Sequence, residues 1–170
     1  MRYFLIGYKS SGKTTIGKKL ANKLNMNFID LDDEIEKREG KTVPELYVQI
    51  GDETFRHKEW EALKSVVKQD NIIVSTGGGA PCHCENMNLM EKYGEVIYLR
   101  LDNDTLISRL KDATKDRPIV LNKSDEELRN YVSDLREKCE HHYVRAKFII
   151  DCKGKTIDEI ILAIKNFKET

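Results

Sequence analysis

The sequence predicts an α/β fold in which one mostly parallel, five-stranded sheet is covered by helices on both faces. Three observations carry that prediction. Five short apolar runs bounded by turn residues read as buried strands: YFLI (3–6), NFID (27–30), IIVST (72–76), VIYLRL (96–101) and FIID (148–151). Stretches with apolar residues at helical spacing separate them, and such alternation is the pattern of parallel sheets buried on both sides. The chain has 170 residues, 39% apolar and 34% charged, the size and make-up of one globular domain covering 1–170.

Taken in order, the first strand runs into GYKSSGKTT (7–15), after which Ile16, Leu20 and Leu24 recur as one face of a helix. The second strand leads into DLDDEIE (30–36), where Asp33 and Glu34 favour a helix N-terminus. Thr42 with Glu45 makes a capping box, and Trp60, Leu63 and Val67 mark the helix before the third strand. That strand opens into STGGGAP (75–81). Beyond the fourth strand, KDATKDRPIVLNKSD (111–125) is polar, charged and too irregular for a core element, which marks it as a surface loop or a lid. Ser124 with Glu127 starts a helix whose core face is Leu128, Val132, Leu135, Cys139 and His142. Thr156 with Glu159 caps the last helix, which carries Ile157, Ile160, Ile161, Ile164 and Phe167 on its apolar face.

The 29 basic and 29 acidic residues cancel. That balance gives no electrostatic reason to expect nucleic acid or an anionic membrane as partner, and leaves room for a local anion pocket. No apolar run approaches the ~20 residues of a membrane span, and MRYFLIG is too short an apolar start for a signal peptide. Four cysteines in a chain of this length do not make a disulfide scaffold, so a reduced, cytoplasmic setting is expected.

Four stretches carry chemistry. GYKSSGKTT fits G-x-x-x-x-G-K-[ST] with a strand before it and a helix after it, the context that a phosphate loop requires. Its glycines let backbone N–H groups turn inward, the helix N-terminus adds positive potential, Lys13 reaches the β- and γ-phosphates, and the Thr14 hydroxyl suits Mg²⁺. Asp30 and Asp32 stand at i and i+2 at the loop-facing end of the second strand. One suits the water shell of Mg²⁺ and the other can take a proton from an acceptor hydroxyl. The three glycines after the third strand expose bare N–H groups to a ligand, with Ser75 or Thr76 able to lend a hydroxyl. Arg56 in GDETFR and Arg117 in DRPIV are single arginines that matter through this company.

This ordered set resembles shikimate kinase, and the resemblance spans essentially the whole chain. It rests on GYKSSGKTT, FIDLDDEIE, GDETFR, STGGGAP, DRPIV and a helix ending in Tyr143 before the last strand. STGGGAPC followed by Asn86 and Met87 is similar to the shikimate kinases of one bacterial lineage. The phosphate loop alone is shared by thousands of proteins; the combination at these separations is specific. The resemblance implies a three-layer P-loop kinase fold of the nucleoside-monophosphate-kinase type, with a substrate-binding region at about 32–60 and a mobile lid at about 111–125. It implies transfer of the ATP γ-phosphate, with Mg²⁺, to the 3-hydroxyl of shikimate, a step toward chorismate and the aromatic amino acids, by a monomer. By position, Ser10, Ser11, Gly12, Lys13, Thr14 and Thr15 would cradle the ATP phosphates. Thr14 would ligate Mg²⁺ directly and Asp30 through water. Asp32 would hold the shikimate hydroxyls and act as base, Arg56 would pair with the carboxylate, and the Gly78 N–H would contact the substrate. Arg117 would come in with the lid to the transferring phosphoryl group, and Arg109 would lie near the adenine.

One position departs from the family. An arginine four residues before the tyrosine is the family's second clamp on the carboxylate, and here that position is Cys139. A thiol makes no charge-assisted pair, a loss of about 1.5–3 kcal/mol or roughly ten- to a hundredfold in affinity. Lys138 is expected to substitute in part as a point charge. A one-residue shift would align Lys138 with the arginine and His142 with the tyrosine, and Arg136 and Arg145 are more distant candidates. The weaker clamp keeps open another small-molecule kinase of the same fold, such as a gluconate kinase. A nucleotide-binding regulatory relative without catalysis is a second alternative, against which intact Lys13, Thr14, Asp30, Asp32 and Arg117 argue. A metal-binding module is a third. Cys82, His83 and Cys84 are too close together for the usual zinc spacing, and Cys139 lies on a core-facing stripe.

Overall fold

The computed structural model describes residues 1–83, 85–112 and 123–166. Five strands form one sheet: β1 (Arg2–Ile6), β2 (Asn27–Asp30), β3 (Ile72–Ser75), β4 (Glu95–Arg100) and β5 (Phe148–Asp151). Their order is β2-β3-β1-β4-β5 and every neighbouring pair is parallel. All five expected strands are present, with ends differing by a single residue. The helices are α1 (Lys13–Leu24), α2 (Leu31–Glu39), α3 (Val43–Val66), α4 (Asn86–Tyr93), α5 (Asn103–Asp112), α6 (Asp125–Tyr143) and α7 (Ile157–Asn166). A single 3-10 turn at Ala80–Cys82 follows the glycine run.

The sheet is buried on both faces because successive strand residues point to opposite sides. Phe4, Ile6, Val74, Val96 and Tyr98 pack with residues of α2 to α6. Tyr3, Leu5, Ile73, Ile97, Leu99 and Ile150 pack with Ile16 and Leu20 of α1 and Ile160, Ile161 and Ile164 of α7. These are the three layers expected.

The capping boxes at Thr42/Glu45 and Ser124/Glu127 form as read, each hydroxyl accepting from the N3 amide. At the start of α7 the Thr156 hydroxyl accepts from Glu159 N at 3.3 Å while Glu159 accepts from Thr156 N at 2.7 Å. One internal break was not read from the sequence. Gly51, at φ 73° and ψ 173°, interrupts α3, so that a fresh helical segment starts just before Arg56.

Parallel pairing places the carboxyl ends of all strands at one edge, the edge where open α/β sheets bind ligands. The phosphate loop leaves β1 there, Asp30 ends β2, and the glycine run leaves β3. Residues 113–122 of the expected lid, and with them Arg117, lie outside the described residues. So do Cys84 and Phe167.

Candidate active site

The phosphate loop wraps its own lysine. Lys13, only 7% exposed, donates from Nζ to the carbonyls of Gly7 at 2.8 Å and Tyr8 at 3.0 Å, which closes the loop around the head of α1. Ser10 adopts a left-handed backbone (φ 69°), and its carbonyl accepts from Arg109 Nη1 at 3.3 Å. Arg109, from α5, is therefore brought to the loop.

Next to α1 the Thr14 hydroxyl donates to Asp30 Oδ2 at 2.7 Å and lies 3.5 Å from Ser75 Oγ. The other Asp30 oxygen accepts from Asp32 N at 3.1 Å, so this carboxylate also caps α2. Two hydroxyls and a carboxylate form an all-oxygen set that fits a hard cation such as Mg²⁺. Asp32 is half-buried, and burial, followed by the neighbouring Asp30, pushes its carboxyl above the usual range while Lys13 and Lys9 pull it back.

The glycine run is bare because each residue meets a different part of the site. A Cβ on Gly77 would lie 2.9 Å from Glu59 Oε1 and 3.1 Å from Asp32 Oδ1. On Gly78 it would meet the Lys9 amide nitrogen at 2.9 Å, and on Gly79 Nη2 of Arg56 at 2.7 Å. Asp32 and Arg56 thus flank one short backbone segment. Arg56 is held by Glu59 (Nη1 to Oε2, 3.1 Å) and Asp52 (Nε to Oδ1, 3.3 Å), with the Tyr47 and Phe55 rings beneath it. Glu59 is 1% exposed; burial raises its carboxyl to about 7 although Arg56 opposes this.

α6 closes the site from the other side. Tyr143 is fully buried and its hydroxyl donates to the Gly78 carbonyl. Its ring stacks on Tyr98 at 5.1 Å and meets the edge of Tyr8 at 4.7 Å. Glu140 accepts from Tyr8 Oη at 2.7 Å, Tyr98 Oη at 3.0 Å and Arg136 Nη1 at 3.2 Å.

Of the predicted residues, Ser10 to Thr15, Asp30, Asp32, Arg56, Gly78 and Arg109 come together at this edge. Lys138 is exposed, about 100° round α6 from buried Cys139. Tyr143, not His142, takes the buried position, so the unshifted alignment holds. Arg136 is committed to Glu140 and the Leu101 carbonyl, and Arg145 to Glu91 and Asn88. Among the described residues, which leave out Cys84, no three His, Cys, Asp or Glu side chains form a metal set. Two functional groups were missed. Glu59 was signalled only by its i,i+3 spacing from Arg56, and Glu140 only by its i,i+4 spacing from Arg136.

A family model for shikimate kinase matches residues 9–168. A shikimate kinase of Bacteroides thetaiotaomicron is 43% identical over 151 residues, 89% of this chain and 86% of the relative. The crystal structure of a shikimate kinase from the same species superposes with a TM-score of 0.93 at 38% identity, covering 100% of this chain and 99% of that one. An Acinetobacter baumannii shikimate kinase solved in complex with shikimate gives 0.88 at 27% identity, over 99% of this chain and 92% of that one. With its phosphate loop, paired aspartates and arginine-backed glycine run at one sheet edge, this chain belongs to the shikimate kinase family.

Proposed function

We propose that the chain transfers the γ-phosphate of ATP to the 3-hydroxyl of shikimate. The observation that carries this reading is the placement of Asp32 and Arg56 on either side of the glycine run, next to a formed phosphate loop. Gly77 and Gly79 are two residues apart, a span of about 7 Å at most. That suits a six-membered ring with hydroxyls at one end and a carboxylate at the other.

Phosphoryl transfer asks for positioning and charge neutralisation more than covalent help. Lys13 and the loop amides of Ser10 to Thr15 hold the ATP phosphates. The Thr14 hydroxyl, and Asp30 through water, would hold Mg²⁺, which would supply positive charge at the β- and γ-phosphates. Asp32 orients the hydroxyl and accepts its proton, for which a pKa raised by burial is an advantage. Arg56 fixes the carboxylate, assisted by the Gly78 N–H at the ring. Arg117, which lies outside the described residues, would add charge on the phosphoryl group as water is excluded. Lys138 supplies the second cation at the acid end only by swinging across from its exposed position. The substrates are small molecules, and the enzyme works as a monomer in the cytoplasm. No helix among the described residues is long and apolar enough to cross a membrane.

Coupled ADP release with shikimate, repeated with gluconate, tests the acceptor. Release stimulated by gluconate and not by shikimate would refute the assignment. Lys138→Ala should raise the shikimate KM, and an unchanged KM would remove Lys138 from the clamp.

A further inference from the structure

A single side chain of the phosphate loop reaches across to α6. Tyr8, the loop's second residue, is 1% exposed. A buried phenol needs a partner for its hydroxyl. Tyr8 Oη finds one in Glu140 Oε2, to which it donates at 2.7 Å across 132 residues of sequence. The backbone carbonyl of the same tyrosine accepts from Lys13 Nζ at 3.0 Å and from Ser11 N at 3.1 Å. Tyr8 thus has its side chain fixed by α6 and its carbonyl set beside the lysine of the phosphate loop.

We propose that Glu140 is a positioning residue for nucleotide binding, acting through the Tyr8 hydroxyl to hold the phosphate loop and Lys13 in place.

Glu140 is itself a fixed point. Tyr98 Oη at 3.0 Å and Arg136 Nη1 at 3.2 Å donate to the same Oε2, and Arg136 is held in turn by the Leu101 carbonyl. Burial and the Glu140 carboxylate push the Tyr8 phenol well above its ordinary range, so it keeps its proton and donates. A hydrogen bond to an ionised acceptor is about twice as strong as one between neutral groups.

The loop has reason to need such an anchor. Gly7 (φ 151°), Ser10 (φ 69°) and Gly12 (φ 92°) all have positive φ. Ser10 carries a side chain there, a strained conformation that persists only where its surroundings impose it. Arg109 Nη1 holds one shoulder of the loop at the Ser10 carbonyl, at 3.3 Å. Glu140, through Tyr8, holds the other. The role of Glu140 rests on the nucleotide half of the function proposed above, and the identity of the acceptor plays no part in it.

Calorimetric titration of the full chain with MgADP, without acceptor, reads the effect directly. Tyr8→Phe keeps the ring against Tyr143 at 4.7 Å and under Arg136 at 5.1 Å, and removes only the hydroxyl. It should raise the ADP Kd by about three- to tenfold, the loss of one hydrogen bond to a charged group expressed in part at the loop. Glu140→Gln, which leaves a neutral oxygen for three donors, should do the same. The double variant should bind no more weakly than the weaker single variant, because both changes break one link. Tyr98→Phe takes a donor from the same carboxylate without touching the loop and should leave the ADP Kd near the wild-type value. In coupled assays of the Tyr8 and Glu140 variants, the ATP KM should rise while the shikimate KM holds.

Unchanged ADP affinity in both single variants overturns the proposal, as do additive losses in the double variant. So does an equal loss in Tyr98→Phe, which would make Glu140 only a structural acceptor for buried hydroxyls. Should Tyr8→Phe fail to fold, Glu140→Gln set against Tyr98→Phe decides alone. A wild-type chain that binds no MgADP overturns the proposed function and the role of Glu140 together. Wild-type binding with unmoved variants overturns the role of Glu140 alone.

Discussion

Replacing Glu59 by glutamine removes a carboxyl that the fold buries at 1% exposure beside Arg56. Burial raises its pKa from the ordinary 4.5 to about 7, with Arg56 pulling it down and Asp32 and Asp52 pushing it up. Between those values the native protein keeps the proton and the unfolded chain has lost it. This contribution to stability is complete below about pH 4.5 and is lost as the pH rises through about 7. Integrated between about pH 5 and pH 8 it amounts to about 2–3 kcal/mol. The glutamine variant has no such group. Over that interval the wild-type protein should therefore lose about 2–3 kcal/mol more unfolding free energy than Glu59→Gln. Titrating groups that do not interact with Glu59 are common to both proteins and cancel in the difference. Any constant cost of pairing Arg56 with an amide shifts both pH values equally. Urea denaturation of both proteins across this range measures the difference. A gap that stays constant with pH would refute the idea that Glu59 is protonated in the native protein near neutrality.

Asp30→Asn keeps a good cap for α2 but removes the charge beside Thr14; half-maximal Mg²⁺ should rise about 10- to 100-fold in ADP-release assays, with stability little changed. Gly79→Ala leaves an ordinary backbone (φ −95°) but places a Cβ against Arg56, so the shikimate KM should rise by about tenfold or more while the ATP KM holds. Tyr143→Phe keeps the stacked rings and removes the donor to the Gly78 carbonyl; denaturation should show a loss of about 1 kcal/mol.

What the sequence made legible was local. The five strands are apolar runs that stop at turn residues, and capping boxes declare helix starts within four residues. The phosphate loop and the Asp30/Asp32 pair are likewise continuous in sequence, and the fold needed only to bring their strand ends to one edge. What stayed hidden needed a partner from elsewhere in the chain or a break in a regular pattern. Gly51 sits in a helical run where a glycine is tolerated, so nothing local marked the break. Glu59 reads as a surface helix residue until the glycine run is laid over it. The stripe through Leu128, Val132 and Cys139 was readable, yet Cys82 as its contact was not. Lys138 was chosen by adjacency in sequence, and one helical step turns an adjacent residue to another face.

The position of Cys139 also explains why the cations nearest to it in sequence do not simply take over a carboxylate clamp. α6 uses Arg136, Glu140 and Tyr143 to hold the two loops that face each other across the site. A half-buried carboxylate needs several donors, and Glu140 has three: Tyr8 from the phosphate loop, Tyr98 from β4 and Arg136 from its own helix. Arg136 also stands over the Tyr8 ring at 5.1 Å, so moving it to a ligand would leave both that ring and Glu140 short of a partner. One helical turn on, Tyr143 ties the glycine run to the same helix. The consequence is a division of labour: α6 fixes the distance between phosphate loop and glycine run, which phosphoryl transfer needs to be constant. Under the proposed function, the charge that meets the acceptor's acid group would come chiefly from Arg56, on the opposite wall.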